Sequence, residues 1–311
     1  MELSAAEEYA IRIIAAESAL QHAARDEAPA ARLSSSPASA PDGKASSPAP
    51  VAGGTVANRP TLAPGGTATP ETNHPAPIPL PVPPIPDGLW PAVRAELEAQ
   101  SVIGYPANAV ESLGLSPADQ AEYLARAGKN LSIWYRLMMA QDSVLAEFRQ
   151  AGIPVAVLKG AAAAANYPQP NSRSMGDIDL IVPPNHFEQA FSLMERLGWE
   201  NDTELEINPR HAGFEKAGCP EIELHRYFST CTNKQQAHFL DQAIYDAIPR
   251  AEWTDVAGFS VPVLPPLENG LVLLAHVNQH LGSGLGLRQI LDWQMFVDAR
   301  LIFIVSRTLV P

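Results

Sequence analysis

Cysteine and positive charge are both scarce in this chain of 311 residues. Cys219 and Cys231 are the only cysteines and do not form a Cys-x-x-Cys pair, which excludes a disulfide framework and favours a reduced, cytoplasmic setting. The 21 Lys and Arg residues are outnumbered by 34 Asp and Glu residues, for a formal net charge of −13. Sequence-independent nucleic-acid binding needs a basic surface, so we expect none here.

Long hydrophobic runs are also missing. No stretch of about 18 apolar residues occurs, so we predict that the chain does not span a membrane. The first residues show no basic segment followed by an apolar one, and we therefore expect no secretory signal peptide.

The N-terminal 88 residues divide into two parts of different composition. Apolar residues within residues 1–27 recur at helical spacing, which predicts an amphipathic helix. We expect this helix to pack on the folded domain; the alternative is that it binds a partner protein. Residues 28–88 are rich in Pro, Ala, Ser, Gly and Thr and poor in large apolar residues, so they are predicted to form a disordered linker.

Limited proteolysis tests this division of the chain. We expect the first cuts to fall within residues 28–88, because a segment with so little apolar surface cannot offset the entropy that it loses on ordering. The surviving fragment should begin near Leu89. Resistance of this segment to a protease that readily cuts the denatured chain would contradict the predicted linker.

The remaining domain, residues 89–300, mixes helical and strand patterns, which predicts an α/β architecture. Ser116 and Pro117 open a helix that continues to Gln150, since serine is a good N-cap and proline fits the first helical turn. From residue 265 onward the pattern is again helical. Short apolar or alternating segments predict strands at residues 155–158, 177–182, 199–207, 210–216 and 221–227.

Two acidic residues stand at the start of one predicted strand. Asp177 and Asp179 alternate with the core-facing Ile178, so both carboxylates point to the same side. Glu223, which alternates with apolar residues on a later predicted strand, supplies a third carboxylate. An Asp-x-Asp pair is also common at solvated strand ends. Here the nearby basic residues and the strand–glycine–helix pattern, described below, favour a functional role.

Clustered carboxylates have consequences for the binding of protons and metals. They repel each other unless a cation lies between them, and such hard oxygen ligands suit Mg²⁺ or Mn²⁺. Without metal, we expect a raised pKa for at least one of them, and a neutral or slightly stabilising effect of Asp179→Asn. The three acids therefore predict a two-metal site for phosphoryl or nucleotidyl transfer.

Basic residues and a histidine accompany this acidic set. Lys159 and Gly160 end a predicted strand just before an alanine-rich helix, a geometry that suits phosphate binding at the helix N-terminus, and Arg173 adds positive charge. His225 shares a strand face with Glu223, either as a hydrogen-bonding neighbour or as a substrate contact.

A histidine pair lies on the predicted C-terminal helix. His276 and His280 are four residues apart and share a helix face, a spacing that permits zinc binding. Residues 277–279 contain no glutamate that could serve as the base of a zinc protease, and no third ligand is evident. We therefore predict that the pair does not form a zinc site.

The order of these motifs resembles the uncharacterised nucleotidyltransferase family of bacteria, in the DNA polymerase β-like nucleotidyltransferase superfamily. The resemblance spans Leu115 to Ala299 and rests on Leu-Lys-Gly, Tyr-Pro, Arg-x-Met-Gly-Asp-Ile-Asp-Leu-Ile-Val, Glu-Leu-His and a late His-x-x-x-His. It implies a nucleotidyltransferase-like mixed sheet flanked by helices, with a helical C-terminal part. It also implies further helices beyond the apolar tail at residues 301–311, which we therefore expect to be truncated.

The resemblance also implies a function. The expected reaction is the metal-dependent transfer of a nucleoside monophosphate from an NTP to an unidentified hydroxyl-bearing acceptor, small or macromolecular. One alternative is a non-catalytic nucleotide- or partner-binding module, favoured by Ala161 where the wider superfamily has serine or glycine. A second is a metal-dependent phosphohydrolase. The residues implied to bind metal are Asp177, Asp179 and Glu223, and those implied to bind the nucleotide are Lys159, Gly160, Arg173, His225, His276 and His280.

Overall fold

The computed structural model describes residues 3–27, 82, 85–202, 210–281 and 284–301. The helices within these residues are α1 (Ala5–Glu27), α2 (Trp90–Ala99), α3 (Ala107–Glu111), α4 (Pro117–Gln150), α5 (Gly160–Ala164), α6 (Phe187–Arg196), α7 (Lys234–Ala247), α8 (Pro266–His280) and α9 (Leu287–Phe296), which continues as a π-helical turn, Val297–Leu301. The strands are β1 (Ala156–Leu158), β2 (Ile178–Ile181), β3 (Glu200–Asn201), β4 (His211–Glu215), β5 (Ile222–His225), β6 (Glu252–Val256) and β7 (Phe259–Val263).

A five-stranded mixed sheet forms the centre of the domain, with the strand order β1-β2-β5-β4-β3. Strands β2 and β5 run parallel, whereas the other neighbouring pairs are antiparallel. The mixed sheet, the flanking helices and the helical C-terminal part confirm the predicted fold class. The β6–β7 hairpin forms a separate two-stranded sheet that has no counterpart among the predicted elements.

Apolar side chains cover both faces of the central sheet. Leu180 and Leu224 are buried on one face with side chains from α4 and α6. Ile181 is buried on the other face with side chains from α7 and α8. Because side chains alternate along a strand, Asp179 and Glu223 lie on the same face as Ile181, toward α7 and α8.

Helix α1 packs on the helices that begin the domain. Ile13 is fully buried in a cluster that includes Trp90 and Leu97 of α2. The Glu17 carboxylate accepts hydrogen bonds from the Asn108 side chain and from the Ala109 amide, each at 2.8 Å. These contacts join α1 to α2 and α3 through both apolar packing and a buried carboxylate.

Several predictions concern residues outside the described ranges. Most of the predicted linker at 28–88, the end of the predicted strand at 199–207 and the apolar tail after residue 301 fall there. They stay predictions of the sequence.

Helix α4 runs unbroken for 34 residues. Its N-cap is Ser116, whose hydroxyl accepts a hydrogen bond from the Asp119 amide at 3.2 Å, and Pro117 follows at the first helical position. Gly128 lies inside the helix without interrupting it.

Two helical glycines are expected to respond in opposite ways to alanine. A Cβ at Gly128 would meet no atom within 4 Å, whereas a Cβ at Gly270 in α8 would lie 2.6 Å from Cζ of Phe296 in α9. Gly128→Ala should therefore stabilise the protein by about 0.5–1 kcal/mol, since alanine is the better helix former. Gly270→Ala should destabilise it by about 1–3 kcal/mol through overpacking. Urea unfolding measures both changes, and equal effects of the two would contradict this packing of α8 on α9.

Candidate active site

Three carboxylates meet where β2 and β5 lie side by side. Asp179 in β2 is the register partner of Glu223 in β5, and Asp177 directly precedes β2. Ligand oxygens of the three side chains lie within 4.8 Å of one another. The parallel register explains this convergence, because it places alternate side chains of both strands on one face. The structure thus brings together the three acids that the sequence pattern singles out.

Two nitrogen donors hold Asp179 in its buried position. Its Oδ1 accepts hydrogen bonds from the Lys159 ammonium at 2.9 Å and from His225 Nε2 at 3.0 Å. His225 Nε2 also lies 3.1 Å from Glu223 Oε2, so one imidazole bridges two carboxylates. Asp179 and His225 are almost completely buried, and the exclusion of water strengthens these charged hydrogen bonds.

These groups shift one another's pKa in different directions. Burial raises the pKa of Asp177, and the charges of Asp179 and Glu223 raise it further. Burial also opposes ionisation of Asp179, but the hydrogen bond from His225 and the charge of Lys159 outweigh it and hold the pKa of Asp179 well below its usual range. The hydrogen bond from His225 lowers the pKa of Glu223. The raised pKa expected of at least one carboxyl group is therefore confirmed for Asp177, whereas the pKa of Asp179 moves the other way.

Lys159 reaches Asp179 from an unusual backbone conformation. Its φ of 51° and ψ of −135° lie in a region that side-chain-bearing residues rarely adopt, which costs on the order of 1–3 kcal/mol. Gly160 follows with a φ of 36° and begins helix α5. This helix has only five residues, all of them buried, so its dipole is small; Lys159 and Gly160 both line the cleft beside the carboxylates.

A cleft of about 190 Å³ opens beside the carboxylates. His276 and His280 line it, with their Nε2 atoms 3.1 Å apart. Burial, followed by the charges of Lys159 and His280, lowers the pKa of His276 to about 4, so this imidazole is neutral at pH 7. Every predicted site residue except Glu223 and His225 contributes to the lining, which consists of Lys159, Gly160, Arg173, Met175, Gly176, Asp177, Asp179, His276, His280 and Arg288.

Arg173 borders the cleft, but its charge is already paired. Its Nε and Nη2 donate to the two carboxylate oxygens of Asp292 at 2.7 Å each, and its Nη1 donates to the Ser174 carbonyl at 3.2 Å. The Tyr167 hydroxyl donates to the same carboxylate at 2.7 Å. Burial lowers the pKa of the guanidinium, but Asp292 raises it above its ordinary value. Arg173 therefore ties the segment before Asp177 to helix α9 through three of its five N–H groups, while it also lines the cleft.

Arg288 is a lining residue that the sequence interpretation did not include. It lies in the first turn of α9, and its Nε is buried without a hydrogen-bond partner in the part of the chain that the structure describes. Burial, followed by the charge of Arg173, lowers its pKa. A partial signal was available, since Arg288 and Asp292 share a helix face at a spacing of four residues. That this face meets the carboxylates depends on how α9 packs, which spacing alone does not reveal.

The carboxylates suit a divalent cation. Oδ2 of Asp179 is buried and accepts no hydrogen bond from the described residues, an arrangement that is unfavourable unless a cation approaches it. Together with Asp177 and Glu223 it offers the hard oxygen ligands that Mg²⁺ and Mn²⁺ prefer. His211 joins Glu223 and His225 in a second group with ligand spacing, so Glu223 belongs to both groups.

Comparison with known proteins gives one assignment by sequence. The family model described as uncharacterised nucleotidyltransferase matches residues 86–303, which is more than half of the chain. No curated protein is significantly similar in sequence to this chain.

Three solved structures resemble parts of the chain at low identity. ANT(2'')-Ia in complex with adenylyl-2''-tobramycin is 16% identical, with 52% of this chain and 87% of that chain covered and a TM-score of 0.41. Lincomycin-bound LnuA, a lincosamide antibiotic adenylyltransferase, is 15% identical, with 50% and 92% covered and a TM-score of 0.33. An antigenic nucleotidyltransferase-like protein from Paracoccidioides brasiliensis is 18% identical, with 52% and 76% covered and a TM-score of 0.37. These scores are low, so the family assignment rests on the family model alone.

Proposed function

Because the chain belongs to the uncharacterised nucleotidyltransferase family, we propose that it transfers a nucleoside monophosphate from an NTP to a hydroxyl-bearing acceptor with the help of Mg²⁺ or Mn²⁺. The observation that carries this proposal is the convergence of Asp177, Asp179 and Glu223 within 4.8 Å on two adjacent strands. The buried, unpartnered Oδ2 of Asp179 supports it, since this oxygen is a ligand that lacks a counter-charge of its own.

The proposed reaction forms a bond between the acceptor oxygen and the α-phosphorus and breaks the bond from that phosphorus to the bridging oxygen. Pyrophosphate leaves, and Glu223 accepts the proton of the acceptor hydroxyl. The hydrogen bond from His225 lowers the pKa of Glu223, so this carboxylate is ionised at neutral pH and has a free site for a proton. Bound divalent ions supply the Lewis-acid stabilisation of the charge that develops on the phosphoryl oxygens.

The basic residues of the cleft would hold the triphosphate. Lys159 and Arg288 both line the cleft beside the carboxylates, and fixed positive charge in a partly buried site stabilises phosphate oxygens without reorganisation. His276 and His280 line the same cleft. His276, neutral at pH 7, offers a hydrogen bond to the ribose or the base rather than a charge.

The helices and the cysteines bear on where in the cell we propose that this reaction takes place. None of the helices in the described ranges combines the length and the apolarity that a bilayer crossing requires. Cys219 and Cys231 are free and exposed, which supports a reducing, cytoplasmic setting. The proposed reaction has an NTP and a hydroxyl-bearing acceptor as its partners. The N-terminal helix α1 packs on the domain.

A non-catalytic nucleotide-binding module is the second candidate. The Lys159 ammonium lies 2.9 Å from Asp179 Oδ1 and competes with a metal ion for the same oxygen. Ala161 at the start of α5 also departs from the pattern of the wider superfamily. A module of this kind would bind the NTP and release no pyrophosphate.

Incubation with α-labelled NTPs, Mg²⁺ and a panel of hydroxyl-bearing acceptors tests the proposal. We expect label on an acceptor and one pyrophosphate released for each label transferred. Glu223→Gln should lower the transfer rate by about 10²–10⁴-fold, because the amide cannot accept the proton. Glu221→Gln is the matched control, since this exposed acid precedes the same strand but does not belong to the cluster of three.

The remaining outcomes separate the alternatives. Release of inorganic phosphate instead of pyrophosphate would identify a phosphohydrolase and contradict nucleotidyl transfer. Tight NTP binding with no pyrophosphate release, unchanged by Glu223→Gln, would favour the binding module.

A further inference from the structure

An apolar groove of about 410 Å³ lies between the start of α7 and the length of α8. This volume is in the range that small-molecule sites occupy. Leu274 and Leu281 line it and are 48% and 63% exposed, so the groove presents contiguous apolar surface to solvent. The described residues that line it include Phe228, Thr230 and Cys231 before α7, Leu240 of α7, and Leu274 and Ala275 of α8.

The groove continues past α7 as a shallower surface. Cys231 and Leu240 line both the groove and an adjoining depression of about 370 Å³. Phe239, 72% exposed, lies in that depression. The two depressions therefore adjoin each other through Cys231 and Leu240.

A constriction lies between this groove and the cleft that holds the carboxylates. Phe228, Thr230 and Ala275 line both the groove and a constriction of about 20 Å³. Lys159, His225 and His276 line the other side of this constriction, and Lys159 and His276 also line the cleft with the carboxylates. The groove therefore adjoins the candidate active site through a constriction that shares lining residues with both.

The charges of the two compartments differ sharply. The cleft carries the three charged side chains Lys159, Arg173 and Arg288 beside its acids, whereas none of the described residues that line the groove is Asp, Glu, Lys or Arg. A polycationic acceptor placed in the groove would lose hydration without gaining a counter-charge. An uncharged acceptor with an apolar body would be stabilised in proportion to the apolar surface that the groove covers.

We propose that this groove binds the acceptor, and that the acceptor is an uncharged molecule with an apolar body and a hydroxyl group at one end. The hydroxyl lies at the constriction lined by His225 and His276, next to Glu223, whose Oε2 is 3.1 Å from His225 Nε2, while the apolar body lies along α8. This inference rests on the proposed function, because it assigns the acceptor class to the same reaction. The transfer step is unchanged: the acceptor oxygen bonds to the α-phosphorus, pyrophosphate leaves, and Glu223 takes the hydroxyl proton.

Calorimetric titration with defined probes tests the groove. The probes are n-octyl β-D-glucopyranoside below its micellar concentration, glucose as the same head group without an apolar body, and tobramycin as a polycationic polyol. Wild-type protein should bind octyl glucoside and should bind neither glucose nor tobramycin in the groove. Leu274→Asp should weaken the binding of octyl glucoside by about tenfold or more, since it removes one apolar contact and buries a charge.

A matched variant guards against non-specific binding of the probe. Leu267 lies on the same helix, is 57% exposed and does not line the groove, so Leu267→Asp should leave octyl glucoside binding unchanged. Both leucines are exposed enough that the substitutions should preserve the fold. Equal binding by the two variants, or tighter binding of tobramycin than of octyl glucoside, would overturn the proposal.

The same titrations with Mg²⁺ and ATP keep the two proposals separate. Binding of Mg²⁺–ATP without any binding of octyl glucoside would overturn the groove and leave nucleotidyl transfer standing. The opposite result is that octyl glucoside binds, that Leu274→Asp weakens this binding, and that Mg²⁺–ATP does not bind. It would support an apolar ligand site and count against the proposed reaction.

Discussion

Replacement of Asp179 by asparagine is expected to lower nucleotidyl transfer by about 10³-fold or more, with Mg²⁺–NTP binding weakened in parallel. Asp179 is the central carboxylate of the three, and its buried Oδ2 is the oxygen that most needs a cation. An amide keeps the shape of the side chain but removes the negative charge and one good ligand. Steady-state rates of pyrophosphate release and calorimetric titration with Mg²⁺–NTP measure the two effects.

The same substitution is expected to destabilise the protein, contrary to the expectation from the sequence. The carboxylate of Asp179 is not mainly repelled by its neighbours, because Lys159 and His225 both donate to it. The pKa of Asp179 is lowered on folding, so its ionised form stabilises the fold above the ordinary pKa of an aspartate, and this contribution is lost only as the pH falls. At pH 7, Asp179→Asn should therefore cost about 2 kcal/mol, the scale of a hydrogen bond to a charged group.

Asp177→Asn is the matched comparison. Burial and like charges raise the pKa of Asp177, so its ionised form opposes folding at neutral pH, and the stability that its protonated form contributes is lost as the pH rises. The asparagine variant should be as stable as the wild type or slightly more stable. Urea unfolding at pH 7 with EDTA to remove metal compares the two variants. Equal stability of both, with unchanged Mg²⁺–NTP affinity of Asp179→Asn, would show that these acids form no cation site.

Replacement of Asp292 by alanine is expected to produce the largest loss of stability, about 3–5 kcal/mol. The substitution removes both carboxylate oxygens to which the Arg173 guanidinium donates at 2.7 Å. Both side chains are almost fully buried, so the guanidinium would be left as an uncompensated buried charge. Because this pair joins α9 to the segment before Asp177, transfer activity should fall as well. The free energy of unfolding in urea measures the effect.

Tyr167→Phe is the control for this pair. It deletes only the hydroxyl that donates to Asp292 at 2.7 Å, so it should cost about 1–2 kcal/mol and leave the ion pair in place. A loss of less than about 1 kcal/mol for Asp292→Ala would mean that Arg173 finds water or another partner. The conclusion that a buried Arg173–Asp292 ion pair joins α9 to the segment before Asp177 would then be wrong.

Helices and strands could be predicted where the sequence carries a local signal such as a helix cap or an apolar run. Helix α4 was predictable because Ser116 and Pro117 cap its start, and β2 because the short apolar run Leu180-Ile181-Val182 follows Asp179. Strand β6 has no such signal, since its side chains are mostly exposed on both faces and show no apolar alternation. The length of α5 was also hidden, because a run of alanines favours a helix without marking where it ends.

The residues of the candidate site likewise divide into those that a local sequence pattern predicts and those that only the fold reveals. Asp179 and Glu223 could be placed on one face from strand alternation alone, and the parallel register then made them neighbours. The pairing of Arg173 with Asp292 joins positions 119 residues apart, and no local pattern encodes it. The structural role of Arg173 therefore became evident only from its partner in the fold.

Counting bound Mn²⁺ by electron paramagnetic resonance tests the carboxylate site most directly. The protein is titrated with Mn²⁺ in the presence of a nucleotide whose α,β-bridging oxygen is replaced by a methylene group, so that no transfer occurs. Convergence of Asp177, Asp179 and Glu223 predicts about two Mn²⁺ per chain in the presence of nucleotide, and loss of both in Asp179→Asn. No nucleotide-dependent Mn²⁺ binding, or the same binding in Asp179→Asn as in the wild type, would contradict a metal-dependent nucleotidyltransferase site at these residues.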